Sequence, residues 1–468
     1  MYVQAVRYSG NMSWAAEMLP FVQTMASYVL AKRAAAEEAY PAGHPFHGIV
    51  SGSPEHDICT APSFFFSLNV WFVRGLTSLA QLHREYPSLT RNATLEAALL
   101  PAAAAWRADV RFAANFTAVR RSDGSGLFFL HPVVGSAYSE ASPPFDTPVV
   151  PAPIEGGDEA TCVTRGTCFA SMTAGVAGQP GGGSNQNTNY ANFRVFPETL
   201  LAQVLDPEYE LAIVSFRDAH RGSLLGMTRF RDVLDDMPVL GWGRGALAHD
   251  RLFAFHNALS GHSMGYISRG TYWGTEQRQQ LDYGVGNRTG IMDHRWRNDC
   301  GVGGEDCSLC MVSGIAPAFW VRWMLASDDP DADLLFVARG APRRWYVVGA
   351  SAQGRQQEAE PFGIAGAPTR FGKVTFTMQA AAALSAASTT ASAVRGSFSL
   401  ERPAGAAVSV LPLVAVKIRA ASAGTPMDGT CALQGDGVEQ VAWHPTNETA
   451  VFRLGGAATA FNFTCTFA

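Results

Sequence analysis

The chain has 468 residues, 47% of them hydrophobic, which is enough for two domains with separate cores and excludes an intrinsically disordered protein. Charged residues make up 16%, the net charge is -5, and no Lys/Arg block could track a phosphate backbone. Nucleic acid and membrane surfaces are therefore excluded as partners, and no apolar run is long enough to span a bilayer.

In chain order, residues 1–8 read as the end of a helix that turns at Ser9-Gly10-Asn11, with neither a basic nor an apolar leader region, so the chain is expected to be N-terminally incomplete. Trp14, Met18, Phe21, Val22, Met25 and Val29 then recur at helical spacing, predicting a helix over about 12–38. Further helices are predicted over 63–84, from Phe64, Leu68, Trp71, Phe72, Leu76 and Leu79, and over 94–118, from Leu99, Ala103, Trp106, Val110 and Ala113. Periodicity vanishes over 120–189, where Gly, Pro, Ser and Thr dominate, and so long a loop is usually functional or disordered. Helical pattern resumes at 197–221, 238–260, 262–281 and 311–326, with almost no strand signal before 330. That rhythm fits a two-layered helical barrel. After a Pro/Gly-rich connection at 327–372, alternation sets in at 373–378, 396–400, 413–418, 440–444 and 450–454. The last strand is the clearest: Phe461, Phe463, Cys465 and Phe467 point one way, and Asn462, Thr464 and Thr466 the other.

The expected architecture is thus mainly α, an (α/α)6-type helical toroid over 1–326, a linker over 327–372, and an all-β sandwich over 373–468. Eight Cys and six Asn-x-Ser/Thr sites, at Asn11, Asn92, Asn115, Asn287, Asn447 and Asn462, place the protein in the secretory pathway. Cys162 with Cys168, and Cys431 with Cys465, read as loop staples of an oxidised protein. Cys300, Cys307 and Cys310 form one Cys-x-x-Cys without a second matching pair, which is weak for zinc, and Cys59 is free or pairs within that trio. No metal and no cofactor are expected.

Four polar clusters could carry chemistry. In Gly52-Ser-Pro-Glu-His-Asp, Glu55 and Asp57 can act as an acid and its tuning neighbour, or cap the following helix. Asn189-Tyr-Ala-Asn-Phe-Arg supplies Asn192 and Arg194, groups that bind hydroxyls and carboxylates, although Arg194 could equally pair with a structural acid. Arg229 and Asp232 flank a turn, with Asp235 and Asp236 read as caps of the helix at 238. The fourth cluster, Tyr266-Ile-Ser-Arg-Gly-Thr-Tyr-Trp-Gly-Thr-Glu-Gln, brings a charge, an aromatic platform and a carboxylate together as Arg269, Tyr272, Trp273 and Glu276.

With the Trp-Gly-Thr-Glu cluster late in the helical part and Ala-Pro-Thr-Arg-Phe-Gly at 367–372, the sequence resembles the six-hairpin glycosidases, nearest to the α-L-rhamnosidases and α-L-fucosidases. The resemblance implies a toroid with a late general base, for which Glu276 is the best match, two residues beyond the spacing of the rhamnosidase Trp-Glu pair. The rhamnosidase acid motif, Asp-Glu-Arg with a following Gly-Trp-x-Gly-Asp, is not present. The implied activity is hydrolysis of a poly- or oligosaccharide with inversion, Glu276 as base, Glu55 as acid, Asp57 tuning, and Arg194, Arg269, Tyr272 and Trp273 holding the sugar. Two alternatives stand beside it. A toroid-type polysaccharide lyase would use His262, Tyr266, Asn192 and Arg269, and a non-catalytic protein would only bind glycans or serve structurally.

Overall fold

The computed structural model describes residues 1–52, 64–89, 92–120, 124, 126–135, 195–219, 223–224, 226–230, 233–235, 239–265, 277–279, 311–346, 349–350, 356–357, 360–382, 391–402, 411–419, 427–455 and 458–467. They fall into two compact units, one made of residues 1–22, 78–93 and 321–468, the other of residues 23–77 and 94–320.

Among the described residues there are nine α-helices: α1 (Tyr2–Ser9), α2 (Met12–Ala39), α3 (Phe66–Glu85), α4 (Ala93–Thr117), α5 (Phe196–Ala202), α6 (Pro207–Ala219), α7 (Val239–Ala248), α8 (Leu252–Gly265) and α9 (Met311–Leu325). The expected helical toroid is overturned: these helices show no ring of hairpins, and strands run through both units. The physical reason is visible in two predicted helices that break. The 197–221 segment divides into α5 and α6 because Gln203 adopts a left-handed conformation (φ 51°), and Pro207, which cannot donate a backbone bond, opens the next helix. The 238–260 segment divides at Asp250 (φ 55°), and instead of a helix over 262–281 the chain reaches a strand at Gln277–Gln279.

The unit of residues 23–77 and 94–320 also holds short strands, β1 (Ala118–Arg120) with β2 (Leu127–Leu130), and a four-stranded antiparallel sheet in the order β3 (Ser223–Leu224), β4 (Met227–Phe230), β5 (Val233–Asp235), β6 (Gln277–Gln279). Its core gathers Trp106 on α4, Phe129 on β2, Phe216 on α6, Trp242 on α7 and Trp320 on α9, all at most 3% exposed. Asn69 of α3 ties the interior: its amide exchanges two hydrogen bonds with the Val50 backbone and accepts one from the Trp106 indole at 3.2 Å.

The other unit is built on two five-stranded sheets, with a short antiparallel pair β9 (Gly349–Ala350) and β10 (Gln356–Gln357), and β7 (Ala326–Asp328), β8 (Leu334–Val337) and β11 (Phe362–Thr369) fall wholly or largely within the stretch read as a linker. One sheet runs β11, β12 (Gly372–Ala382), β13 (Ala391–Glu401), β18 (Ala460–Phe467), β15 (Met427–Gln434). The second runs β16 (Val438–His444), β17 (Thr449–Leu454), β14 (Leu413–Lys417), β8, β7, and only β14 with β8 is parallel. Phe452 of the second sheet packs against Phe461 and Phe463 of the first, at 5.2 and 5.7 Å between ring centres. In β18 the alternation holds, with Phe461, Phe463 and Cys465 buried and Asn462 and Thr466 exposed, and Cys465 is bonded to Cys431 of β15. This unit is not all-β either: Val3, Val6, Ala15 and Leu19 of α1 and α2 form a core with Leu82, Tyr86 and Leu89.

The Thr-Arg-Phe-Gly part of the 367–372 motif has a structural role. It turns β11 into β12, the Thr369 hydroxyl bonding to the Gly372 carbonyl at 2.7 Å. The turn buries Arg370 against Asp333 and within 3.7 Å of Glu85, which Arg7 grips through two nitrogens at 2.8 Å. Buried charges so paired are costly to break, by about 3–5 kcal/mol.

Candidate functional site

Of the residues singled out for function, Glu55, Asp57, Asn192, Arg194, Asp232, Arg269, Tyr272, Trp273 and Glu276 lie outside the described residues, as do Tyr266, Cys162, Cys168 and the Cys300 trio. Arg229 lies in β4, opposite Leu234 of β5. The four-stranded sheet joins the third and fourth clusters. Leu234 is in turn opposite Arg278 of β6, and Asp235 is opposite Gln277, the residue after Glu276. Arg229, Leu234 and Arg278 are thus one row across three strands, and the chain leaving the Trp-Gly-Thr-Glu stretch enters the sheet beside Asp235. Asp235, read as a helix cap, is instead a strand residue.

Two contacts hold this sheet. Gly226, in the β3–β4 turn at φ 78°, lies so close to α8 that a Cβ would overlap the backbone of Asn257 and Ala258. Thr228 of β4 is buried, and its hydroxyl accepts a long bond, 3.5 Å, from Arg217 of α6.

Arg217 belongs to a pattern that sequence reasoning missed. On α6, Glu210, Ile213, Val214 and Arg217 share the buried stripe, so a carboxylate and a guanidinium stand seven residues apart on the side of the helix that faces the core. Both are answered by α7 and the turn after it. The Arg217 guanidinium lies 4.2 Å over the Trp242 ring, a cation–π contact, with only the Gly226 carbonyl (3.4 Å) and Thr228 as hydrogen-bond partners among the described residues. Burial brings its pKa down to about 10, against a smaller opposing pull from Asp218. The Glu210 carboxylate meets His249 Nε2 at 3.0 Å, while its other oxygen is buried with no partner among the described residues. Burial raises the Glu210 pKa, opposed by the His249 hydrogen bond and by the charges of His249, Arg74 and Arg244. Such a carboxyl–imidazole pair is suited to holding and moving a proton. The signal in the sequence is the i, i+7 placement of two charges inside an apolar helical stripe.

α7 can approach α5 because Gly241 stands where a Cβ would overlap the Pro197 backbone. A fully buried histidine, His131, follows β2. Its Nδ1 accepts the Val133 amide at 3.2 Å, and complete burial pushes its pKa down to about 3.

A third cluster, Glu37, His47 and Asp109, holds candidate metal-ligating atoms within 4.8 Å of one another. Arg33 already supplies the positive charge there: its Nη2 lies 2.7 Å from both Glu37 Oε1 and Asp109 Oδ2. A divalent cation would have to displace a buried guanidinium, so these residues do not fit a metal centre. Burial raises the Asp109 pKa and the Arg33 charge opposes it.

No protein-family model matches the chain, and no curated protein matches it. No described helix is long and apolar enough to cross a membrane.

Proposed function

We propose that the protein is a glycoside hydrolase of the secretory pathway acting on a poly- or oligosaccharide. With the toroid overturned, this reading rests on the residue clusters themselves. The observation that supports it is the β4–β5–β6 pairing, which draws Arg229 and the chain flanking Asp232 and Glu276 to one sheet. In this reading Glu276 takes a proton from water as its oxygen bonds to the anomeric carbon, and Glu55 protonates the departing glycosidic oxygen. Asp57 tunes that acid, and Asn192, Arg194, Arg269, Tyr272 and Trp273 hold the sugar. The Cys431–Cys465 bond and the exposure of all five described sequon asparagines, Asn11, Asn92, Asn115, Asn447 and Asn462, support the compartment.

Screening the purified protein against neutral and acidic oligosaccharides tests the proposal. Reducing-end release is expected, lost by about two orders of magnitude or more in Glu276→Gln and Glu55→Gln. Full activity in both variants would remove the acid–base assignment. An unsaturated product absorbing in the ultraviolet would establish a lyase, and binding without turnover a non-catalytic glycan binder.

A further inference from the structure

The outer face of the β11–β12–β13–β18–β15 sheet carries a groove of about 330 Å³ with Thr375, Ser397, Ser399, Gln434 and Asn462 among its lining residues. That volume lies at the lower end of the range for small-molecule sites, about 300–1,000 Å³. The register explains its floor: Ser397, Asn462 and Gln434 are directly opposite one another across three strands, with Thr377 opposite Ser397 on the next strand, and Thr375 and Ser399 form the neighbouring row. The Thr377 and Ser397 hydroxyls share a hydrogen bond at 2.7 Å. The named polar groups are uncharged hydroxyls and amides, the chemistry that matches sugar hydroxyls and an acetamide.

One lining residue is itself the acceptor of the sequon Asn462-Phe463-Thr464. Strand alternation sets Asn462 and Thr464 on the outer face and sends Phe463 into the core, so a modified Asn462 is compatible with β18 in place. Two of the other described sequons differ. Asn11 uses its side-chain oxygen to bond Ser13 and the Trp14 amide at the start of α2, and Asn115 accepts a bond from Arg120. Asn462 makes no side-chain hydrogen bond among the described residues and is flanked on both sides by small or flexible polar groups.

We propose that Asn462 carries an N-linked oligosaccharide whose first sugar lies in this groove, contacting Ser397, Ser399 and Gln434. The groove is then occupied from within, a binding shelf for the protein's own glycan and distinct from the hydrolytic clusters. The inference rests on the secretory-pathway reading and is independent of the proposed catalysis.

The test uses the full chain tagged at its own locus and purified from its own cells. Peptide mass spectrometry before and after peptide-N-glycosidase treatment maps each sequon, and the rate of glycan release at Asn462 is compared in the native and the unfolded protein. Asn462 is expected to be modified and its glycan released far more slowly from the native protein, with Ser397→Tyr, which fills the groove, abolishing that protection. An unmodified Asn462 beside a modified Asn447 or Asn92 overturns the shelf and leaves the compartment standing. Equal release from native and unfolded protein, or protection unchanged in Ser397→Tyr, overturns the groove placement. If every sequon is unmodified, the compartment reading falls and the shelf with it.

Discussion

Glu210, Arg217 and His131 are charged or chargeable groups held in an apolar interior, and each makes stability depend on pH in a direction that burial dictates. Glu210 has its folded pKa raised above the ordinary 4.5, so the folded state binds the proton more tightly. Its contribution is complete below 4.5 and is lost as pH rises through the folded value. Glu210→Gln should flatten this fall, seen as a smaller difference in urea midpoint across the range above pH 4.5. His131 acts in the opposite sense. With its pKa depressed from 6.5 to about 3, the unfolded chain takes up a proton that the folded one refuses, so stability is complete above 6.5 and declines as pH falls toward 3. A shift of that size corresponds to roughly 4–5 kcal/mol at its limit. Denaturation curves between pH 7 and pH 3.5 should show most of that loss in the wild type and little of it in His131→Asn. Glu210 and Arg217 did not stand out in the sequence, because a Glu in the first turn and an Arg in the last turn of a helix read as solvated ends that suit the helix dipole until their partners on α7 and the turn after it are known.

At the scale of elements, the sequence was most legible where one signal repeats without interruption. α2, α3, α4 and α9 were predicted within a few residues from their apolar spacing, and the alternation of Phe461, Phe463 and Cys465 located β18 and its buried face. It was least legible where the backbone turns on non-glycine residues. Gln203 and Asp250 adopt left-handed conformations that cost roughly a kcal/mol or more and carry no reliable sequence mark, so two breaks were read through as continuous helix. The short strands around 223–235 and 277–279 gain their meaning only by pairing across some forty residues, which local periodicity cannot report. The candidate site suffers from both effects: its clusters were visible as composition, while the sheet that joins two of them was not. Gly226→Ala provides a sharp test of that sheet. A methyl group there meets the α8 backbone at a positive φ, and a loss of roughly 2–4 kcal/mol is expected in thermal or urea unfolding, with protease sensitivity appearing first near 223–235.

For the whole molecule, the strand-rich C-terminal part was readable, whereas closure of the helices into a ring was an inference from their rhythm and from resemblance that the structure does not sustain. A ring is a long-range property, and the same amphipathic helices serve equally in a layered arrangement with short sheets. The cross-strand bond between Cys431 and Cys465 was the one long-range link foreseen correctly, from two cysteines in strand-like sequence. It closes a loop of 34 residues, for which the chain-entropy model gives a stabilisation of about 3–4 kcal/mol. Replacing both cysteines by Ser, or reducing the bond, should lower the unfolding midpoint of this unit accordingly, as differential scanning calorimetry would register.

The packing of Val3 and Val6 with Leu82, Tyr86 and Leu89, in a unit otherwise drawn from residues 321–468, fixes an order of events during synthesis. Residues 1–22 and 78–93 are made long before the rest of their unit, whereas residues 23–77 and 94–320 can begin to assemble as they appear. β8 must likewise wait for β14, its parallel neighbour, across nearly eighty residues. Val3, Val6, Ala15 and Leu19 can thus be covered by Leu82, Tyr86 and Leu89 early in translation, and only the contact of α1 with β11 has to wait until late in it, so a small preformed helical core is what the late strands find when they arrive.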